Sequence, residues 1–132
     1  MAQVDVEPFA LGRLQLARHD QGAAASLRQA LGLYTDLGVR NGAAEVLNTS
    51  GDLAFADADY PAARTQYQAA EAIATEISLR AELARALAGV GRCQLAEGLT
   101  AEGRNALRQA RSMYAEIGSA TAAEITAILD LL

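Results

Sequence analysis

The chain has 132 residues, of which 52% are hydrophobic, 20% are charged and only 5% are aromatic, with no tryptophan. This length and composition indicate one domain whose core is built from alanine- and leucine-sized side chains, as in closely packed helices. The formal net charge is −5, and no basic stripe is visible. Direct binding to nucleic acid is therefore not expected.

Cysteine content and hydropathy indicate the compartment. Cys93 is the only cysteine, so an intramolecular disulfide is excluded and a cytoplasmic location is the simplest prediction. The first ten residues, MAQVDVEPFA, lack the positive region and apolar run of a signal peptide. No uncharged apolar stretch is long enough to span a bilayer, so we expect no membrane contact.

The chain repeats itself with a period of forty residues. LRQALGLYTDLG at 27–38 and LRQARSMYAEIG at 107–118 are nearly the same phrase, and YQAAEAIATEIS at 67–78 keeps their apolar and alanine positions. A period of this size predicts a repeat architecture. We divide the single domain, 1–132, into units of about 5–40, 41–80 and 81–120, followed by a terminal helix at 121–132.

Each unit is predicted to contain two helices, A and B, joined by the turns RHDQG, DADYP and EGLTA in chain order. Helix A has apolar or small residues at steps of three and four. Helix B has start signals in all three units: Asp20 as an N-cap, Pro61 in the first turn, and Thr100 followed by Glu102. Helix B is expected to end at Gly38, Ser78 and Gly118, where glycine supplies a left-handed cap.

The terminal segment predicts a seventh helix with nothing after it. Thr121 and Glu124 have the spacing of a capping box. The helix carries an apolar stripe that we expect to be uncovered, so the chain is either part of a longer array or a homodimer through this helix. The proposed oligomer interface consists of Ile125, Ile128, Leu129 and Leu132.

The second unit contains the run LNTSGDLAFADADYPAARTQYQAA at 47–70. This run resembles the pattern of the tetratricopeptide repeat (TPR) superfamily, and the resemblance covers the chain from about Pro8 onward. It implies an all-α, right-handed solenoid of antiparallel hairpins with about seven helices, whose A helices line a concave binding surface. The residues at the family's packing positions are Leu47, Gly51, Ala58, Ala63, Tyr67 and Ala70.

The period departs from the family's unit of about thirty-four residues, and the proline that often closes helix B is missing. Units of forty residues ending in Leu-Gly are similar to the carboxyl-terminal arrays of large bacterial transcriptional and signal-transduction regulators. In those proteins the repeats form a sensor or partner-binding arm.

No pattern predicts catalysis, a metal site or a cofactor. His19 is the only histidine and has no partner at ligand or catalytic spacing. Cys93 falls in the column of Leu14 and Leu53, so it is predicted to point inward as a small hydrophobe. Gly89 and Gly91 have no strand or lysine beside them, so helix packing explains them better than phosphate binding does. We do not expect an enzyme.

The resemblance implies a partner-binding surface on the A helices. This surface combines an apolar ridge with acidic and basic patches, which suits a peptide or a helix of a partner protein. An ordinary solvated face with internal ion pairs, such as Asp52 with Arg92, is the alternative interpretation. The predicted partner-binding residues are Arg13, Leu16, Glu45, Asn48, Thr49, Asp52, Phe55, Arg85, Arg92 and Leu95.

The sequence therefore predicts a protein- or peptide-binding scaffold. Two alternatives stay open. The chain could be the sensor arm of a multidomain bacterial regulator, or a small-molecule binder or enzyme that uses the same groove.

Overall fold

A computed structural model describes residues 22–132, and within this range every regular element is an α-helix. The predicted helix A of the first unit and its neighbour Asp20 lie outside the described residues, so the predicted count of seven helices is not tested. The six described helices are α1 (Ala23–Leu37), α2 (Arg40–Ala56), α3 (Tyr60–Glu76), α4 (Arg80–Ala96), α5 (Thr100–Glu116) and α6 (Thr121–Asp130).

The helices form a linear series of antiparallel neighbours. Each helix packs against the next one in the chain, and the connections are only two to four residues long. Among the described helices, α2 and α4 also contact each other, whereas α1, α3 and α5 do not. The A helices α2 and α4 therefore lie closer together than the B helices on the other side of the molecule.

The forty-residue period is visible in the helix boundaries. The helices α2 and α4 each have 17 residues and begin at Arg40 and Arg80. The helices α3 and α5 also have 17 residues each and begin at Tyr60 and Thr100. An exposed ion pair repeats with them, because Arg40 pairs with Glu76 and the equivalent Arg80 and Glu116 pair in the same way.

The connections use left-handed residues, as predicted for the glycines that end the B helices. Gly38, Ser78 and Gly118 have φ values of 71°, 57° and 72°. A left-handed residue also follows α2 and α4, at Ala58 and Gly98, with φ values of 59° and 86°. Ala58, expected to be a packing residue, is instead exposed, because the left-handed turn projects it outward.

The helix starts only partly follow the predicted signals. The Asp59 carboxylate accepts a hydrogen bond from the Ala62 N–H at 3.2 Å, and Pro61 lies in the first turn of α3 as predicted. The predicted capping box at Thr121 is wrong. Ala120 is the N-cap of α6 and makes no side-chain cap bond, while the Thr121 N–H donates to Ser119 Oγ.

The core is closely packed because glycine and alanine stand where helices meet. The ring of Tyr67 on α3 lies between Gly51 of α2 and Gly89 of α4, where added Cβ atoms would come within 2.6 Å and 2.5 Å of it. Similarly, a Cβ at Gly91 would lie 3.0 Å from the carbonyl oxygen of Gly103 on α5. Helix packing therefore explains Gly89 and Gly91, as the sequence predicted.

The helix α6 covers much of its apolar stripe against α5. Ile125 is 3% exposed and packs on Leu107 and Ala110, and Ile128 and Leu129 pack partly against the same cluster. The expectation of an uncovered stripe is therefore wrong for Ile125. Leu132 is exposed. A homodimer through α6 stays a prediction.

Candidate partner-binding surface

A hydrogen-bonded set of side chains connects α2, α3 and α4. Its centre is Asp52, whose carboxylate accepts hydrogen bonds from Arg85 at 2.8 Å, from Arg92 at 3.5 Å and from the Tyr67 hydroxyl. Three facing helices thus meet at one carboxylate. We call this set the polar cluster, and its members are Asn48, Thr49, Asp52, Tyr67, Glu82, Arg85 and Arg92.

Helical spacing brings the polar cluster together. Thr49 and Asp52 are three residues apart on one face of α2, and Glu82 and Arg85 have the same spacing on α4. Arg85 joins the two helices, because its guanidinium donates to Thr49 Oγ1 at 3.1 Å as well as to Asp52. It also contacts Glu82 at 3.4 Å, so its position is fixed from both sides.

Two of the predicted binding residues lie beneath this surface. The side chain of Asn48 is fully buried, and its amide donates to the backbone oxygen and the carboxylate of Glu82 at 3.1 Å and 3.0 Å. Thr49 is only 2% exposed. Both side chains therefore hold α2 against α4, and a partner on the surface would not reach them without rearrangement.

The protonation states within the polar cluster are well defined. Burial raises the pKa of Tyr67, and the charge and hydrogen bond of Asp52 raise it further. Burial acts to lower the pKa of Arg85, but the hydrogen bond and charge of Asp52 and the charge of Glu82 outweigh it, so this pKa is raised overall. Tyr67 is therefore a neutral donor and Arg85 a permanent cation.

Arg92 is the most accessible cation of the polar cluster. Its side chain is 41% exposed, and its contacts with Asp52 and the Tyr67 hydroxyl are long, at 3.5 Å and 3.3 Å. The guanidinium lies 5.0 Å from the centre of the Phe55 ring, a cation–π geometry. Phe55 in turn packs edge-on against Tyr60. Arg92 is thus held in place while keeping hydrogen-bonding capacity toward solvent.

A cleft of about 200 Å³ opens beside Arg85 and Arg92, between α4, α5 and α6. Leu107 and Ile128 are among its apolar lining, and Glu124 is among its polar lining. We call it the α4–α6 cleft. Tyr114 also lines it, and burial raises the pKa of this tyrosine, so its hydroxyl is neutral. The cleft combines an apolar interior with charged groups of both signs.

The predicted surface residues divide between this site and other places. Asp52, Arg85 and Arg92 meet in the polar cluster, and Phe55 lies under Arg92. Glu45 is half-buried one turn before Thr49, whose hydroxyl donates to its backbone oxygen. Leu95 instead packs toward α5, near Gly103. Arg13 and Leu16 lie outside the described residues.

Some residues of the site were not predicted. Tyr67 was given only a packing role, although its hydroxyl is a polar group in a column otherwise occupied by Leu27 and Leu107. Glu82 could have been found from its spacing to Arg85. The cleft residues Tyr114 and Glu124 carry no local signal, because only the packing of α6 on α5 brings them near Arg92.

Cys93 and His19 are the residues that the sequence offers for catalysis or metal binding. Cys93 is fully buried, and burial raises the pKa of its thiol, which disfavours a reactive thiolate. His19 lies outside the described residues. Within residues 22–132 no group of three or more His, Cys, Asp or Glu side chains could hold a metal ion.

In the same range no helix has the length and apolarity needed to cross a bilayer.

No family model matches this chain, and no curated protein matches it either. The polar cluster and the α4–α6 cleft are therefore the features from which a function can be inferred.

Proposed function

We propose that this chain is a cytoplasmic protein- or peptide-binding module of the TPR-like superfamily. In this proposal it is a right-handed solenoid whose A helices, including α2, α4 and α6, line a concave binding surface. The observation that carries the proposal is the position of Arg92, which is half-exposed and oriented by the polar cluster at the edge of the α4–α6 cleft.

The size of the cleft supports one apolar side chain of a partner as the anchor. A cavity of about 150 Å³ is enough for benzene, so 200 Å³ accommodates a leucine or phenylalanine side chain. Ala88 and Ile128 would contact this anchor. Arg92 and Glu124 line the same cleft, where they can bind a carboxylate or the backbone of an extended peptide.

Preorganisation also supports binding. Arg85 is fixed by three acceptors before any partner arrives, and Arg92 rests on the Phe55 ring. A partner that meets side chains already held in place loses less conformational entropy on binding. An enzyme site would need a nucleophile or an acid–base pair at reacting distance. The polar cluster instead uses its charges to hold helices together.

The test is a selection of peptides from a random display library on the purified full chain, followed by calorimetric titration of the selected peptide. Arg92→Ala should weaken binding by roughly tenfold or more, because a partially desolvated charged contact is worth about 1.4 kcal/mol or more. Arg108→Ala is the matched control, since Arg108 is exposed on α5 and does not line the cleft. Equal losses in both variants would refute the proposed surface.

A second candidate is the sensor arm of a multidomain bacterial regulator. It is favoured by the way Arg85 and Arg92 belong both to the cleft and to the contacts between α2 and α4. A ligand at the cleft would therefore change packing between neighbouring units. An immunoblot of a source-cell lysate separates the candidates, because a sensor arm predicts a band several times larger than this chain.

A further inference from the structure

A second groove, of about 470 Å³, lies between α1, α2 and α3 and does not involve the polar cluster. Leu27 and Leu31 of α1 and Leu53 of α2 contribute apolar lining. Asp57 and Asp59, in the connection between α2 and α3, supply carboxylates. We call it the α1–α3 groove.

The repeat explains why this groove is open. Forty residues further on, Arg64 stands at the position of Ala24, and Glu97 stands at the position of Asp57. There the Arg64 guanidinium donates to the Glu97 carboxylate at 2.7 Å, with both side chains largely shielded from solvent. In the α1–α3 groove the alanine leaves the volume of an arginine side chain unfilled.

The α1–α3 groove keeps an acidic residue, Asp57, at the position of Glu97, the partner of Arg64. Asp57 is exposed, and no basic side chain among residues 22–132 forms an ion pair with it. Asp59 uses one oxygen to cap α3 through the Ala62 N–H. A groove lined by leucines and by a carboxylate without an ion pair matches an arginine side chain, whose aliphatic stem prefers apolar surface and whose guanidinium prefers a carboxylate.

We propose that the α1–α3 groove binds an arginine side chain of a partner peptide, in the place that Arg64 occupies in the following unit. The stem would lie along Leu31 and Leu53, and the guanidinium would bind Asp57. The net charge of −5 favours approach of a cationic partner. Because Arg28 also lines the groove, the residues beside the bound arginine should be apolar or neutral.

The test is a titration of the full ¹⁵N-labelled chain with the capped tripeptide acetyl-Leu-Arg-Leu-amide, followed by amide chemical shifts. We expect saturable shifts at α1–α3 groove residues such as Leu31 and Leu53. The same peptide with neutral citrulline in place of arginine should bind at least about tenfold more weakly, since it lacks the charged contact to Asp57. Equal affinity for the two peptides, or no saturable shift in the groove, would overturn the proposal.

Matched variants make the test specific. Ala24→Arg should abolish binding, because it copies Arg64 and supplies the guanidinium from the chain itself. Asp57→Asn should weaken binding of the arginine peptide to the level of the citrulline peptide. Arg64→Ala removes the natural pair but leaves the α1–α3 groove intact, so it should bind normally. Unchanged binding by Ala24→Arg would overturn the proposal.

The arginines of the chain's own amino-terminal segment are the competing occupants. If saturable binding occurs only after Arg13 and Arg18 are both changed to alanine, the groove belongs to that segment, and the assignment to a partner is overturned. If binding is the same with and without these changes, the partner assignment is supported.

Discussion

Gly89→Ala should be among the most damaging single-methyl additions in this molecule. The new Cβ would lie 2.5 Å from two carbons of the Tyr67 ring, whereas carbon atoms in contact prefer about 3.5–4.0 Å. The ring cannot move away, because Gly51 faces its other side equally closely and its hydroxyl is bound to Asp52. The helices α3 and α4 must therefore separate by roughly an ångström.

The expected net cost is the difference between two effects. Overpacking a core costs about 1–3 kcal/mol, and the confined ring places this substitution near the upper end. Replacing glycine by alanine inside a helix returns about 1 kcal/mol. We therefore expect Gly89→Ala to lower the free energy of unfolding by about 2 kcal/mol.

Urea unfolding followed by circular dichroism at 222 nm measures this change. Gly32→Ala is the matched control, because Gly32 is also within a helix but has open space around an added Cβ. It should stabilise the fold by about 0.5–1 kcal/mol, from helix propensity alone.

A double-mutant cycle tests the assigned cause. Tyr67→Leu places at this position the residue found in the equivalent columns, at Leu27 and Leu107, and removes the ring that the new methyl would strike. In that background Gly89→Ala should cost less than about 0.5 kcal/mol, a coupling of more than 1 kcal/mol between neighbours. The same cost in both backgrounds would refute the explanation by ring contact.

Three further predictions concern the connections and the titratable groups. Replacing Ala58 or Ser78 by glycine should raise the free energy of unfolding by up to about 1 kcal/mol in the same urea assay, because both residues have left-handed φ values that L side chains disfavour. Since the folded-state pKa of Tyr67 is raised, its contribution to stability is fully present below pH 10 and is lost as the pH rises above the ordinary tyrosine pKa near 10. Thermal unfolding between pH 8 and 11 should show this loss, and Tyr67→Phe should reduce it. Buried Cys93 should react with a thiol reagent only at the rate of unfolding, so fast reaction in native buffer would contradict its inward position.

The sequence was sufficient to predict the six described helices because the period of forty and the residues at the helix ends recur along the chain. Gly38 and Gly118 mark helix ends by their chemistry, and Ser78 was found only because it shares their column. The capping box failed for a physical reason. Thr121 and Glu124 have the right spacing, but α6 begins one residue too early for Thr121 to be the cap.

The candidate surface was only partly predictable. The repeat register placed Asp52, Arg85 and Arg92 on the A helices, and they do meet. The register does not predict how far each side chain is exposed to solvent. The buried Asn48 and Thr49 could therefore not be distinguished from their accessible neighbours. The α1–α3 groove exists because Ala24 is small where the next unit has Arg64. A single alanine is not a recognisable motif, so nothing in the sequence predicts this groove.

Among the described helices, contacts are made with the next helix in the chain and between α2 and α4, and this linear series implies a folding energy that is approximately a sum of local contributions. Opening can then begin at an end of the series without disturbing the remainder. Within residues 22–132, the backbone of α6 lies close to that of α5 only, whereas the backbone of α4 lies close to those of α2, α3 and α5. Amide protons of α6 should therefore exchange with solvent deuterium sooner than those of α4, so that protection rises from the carboxyl-terminal helix toward the middle of the series.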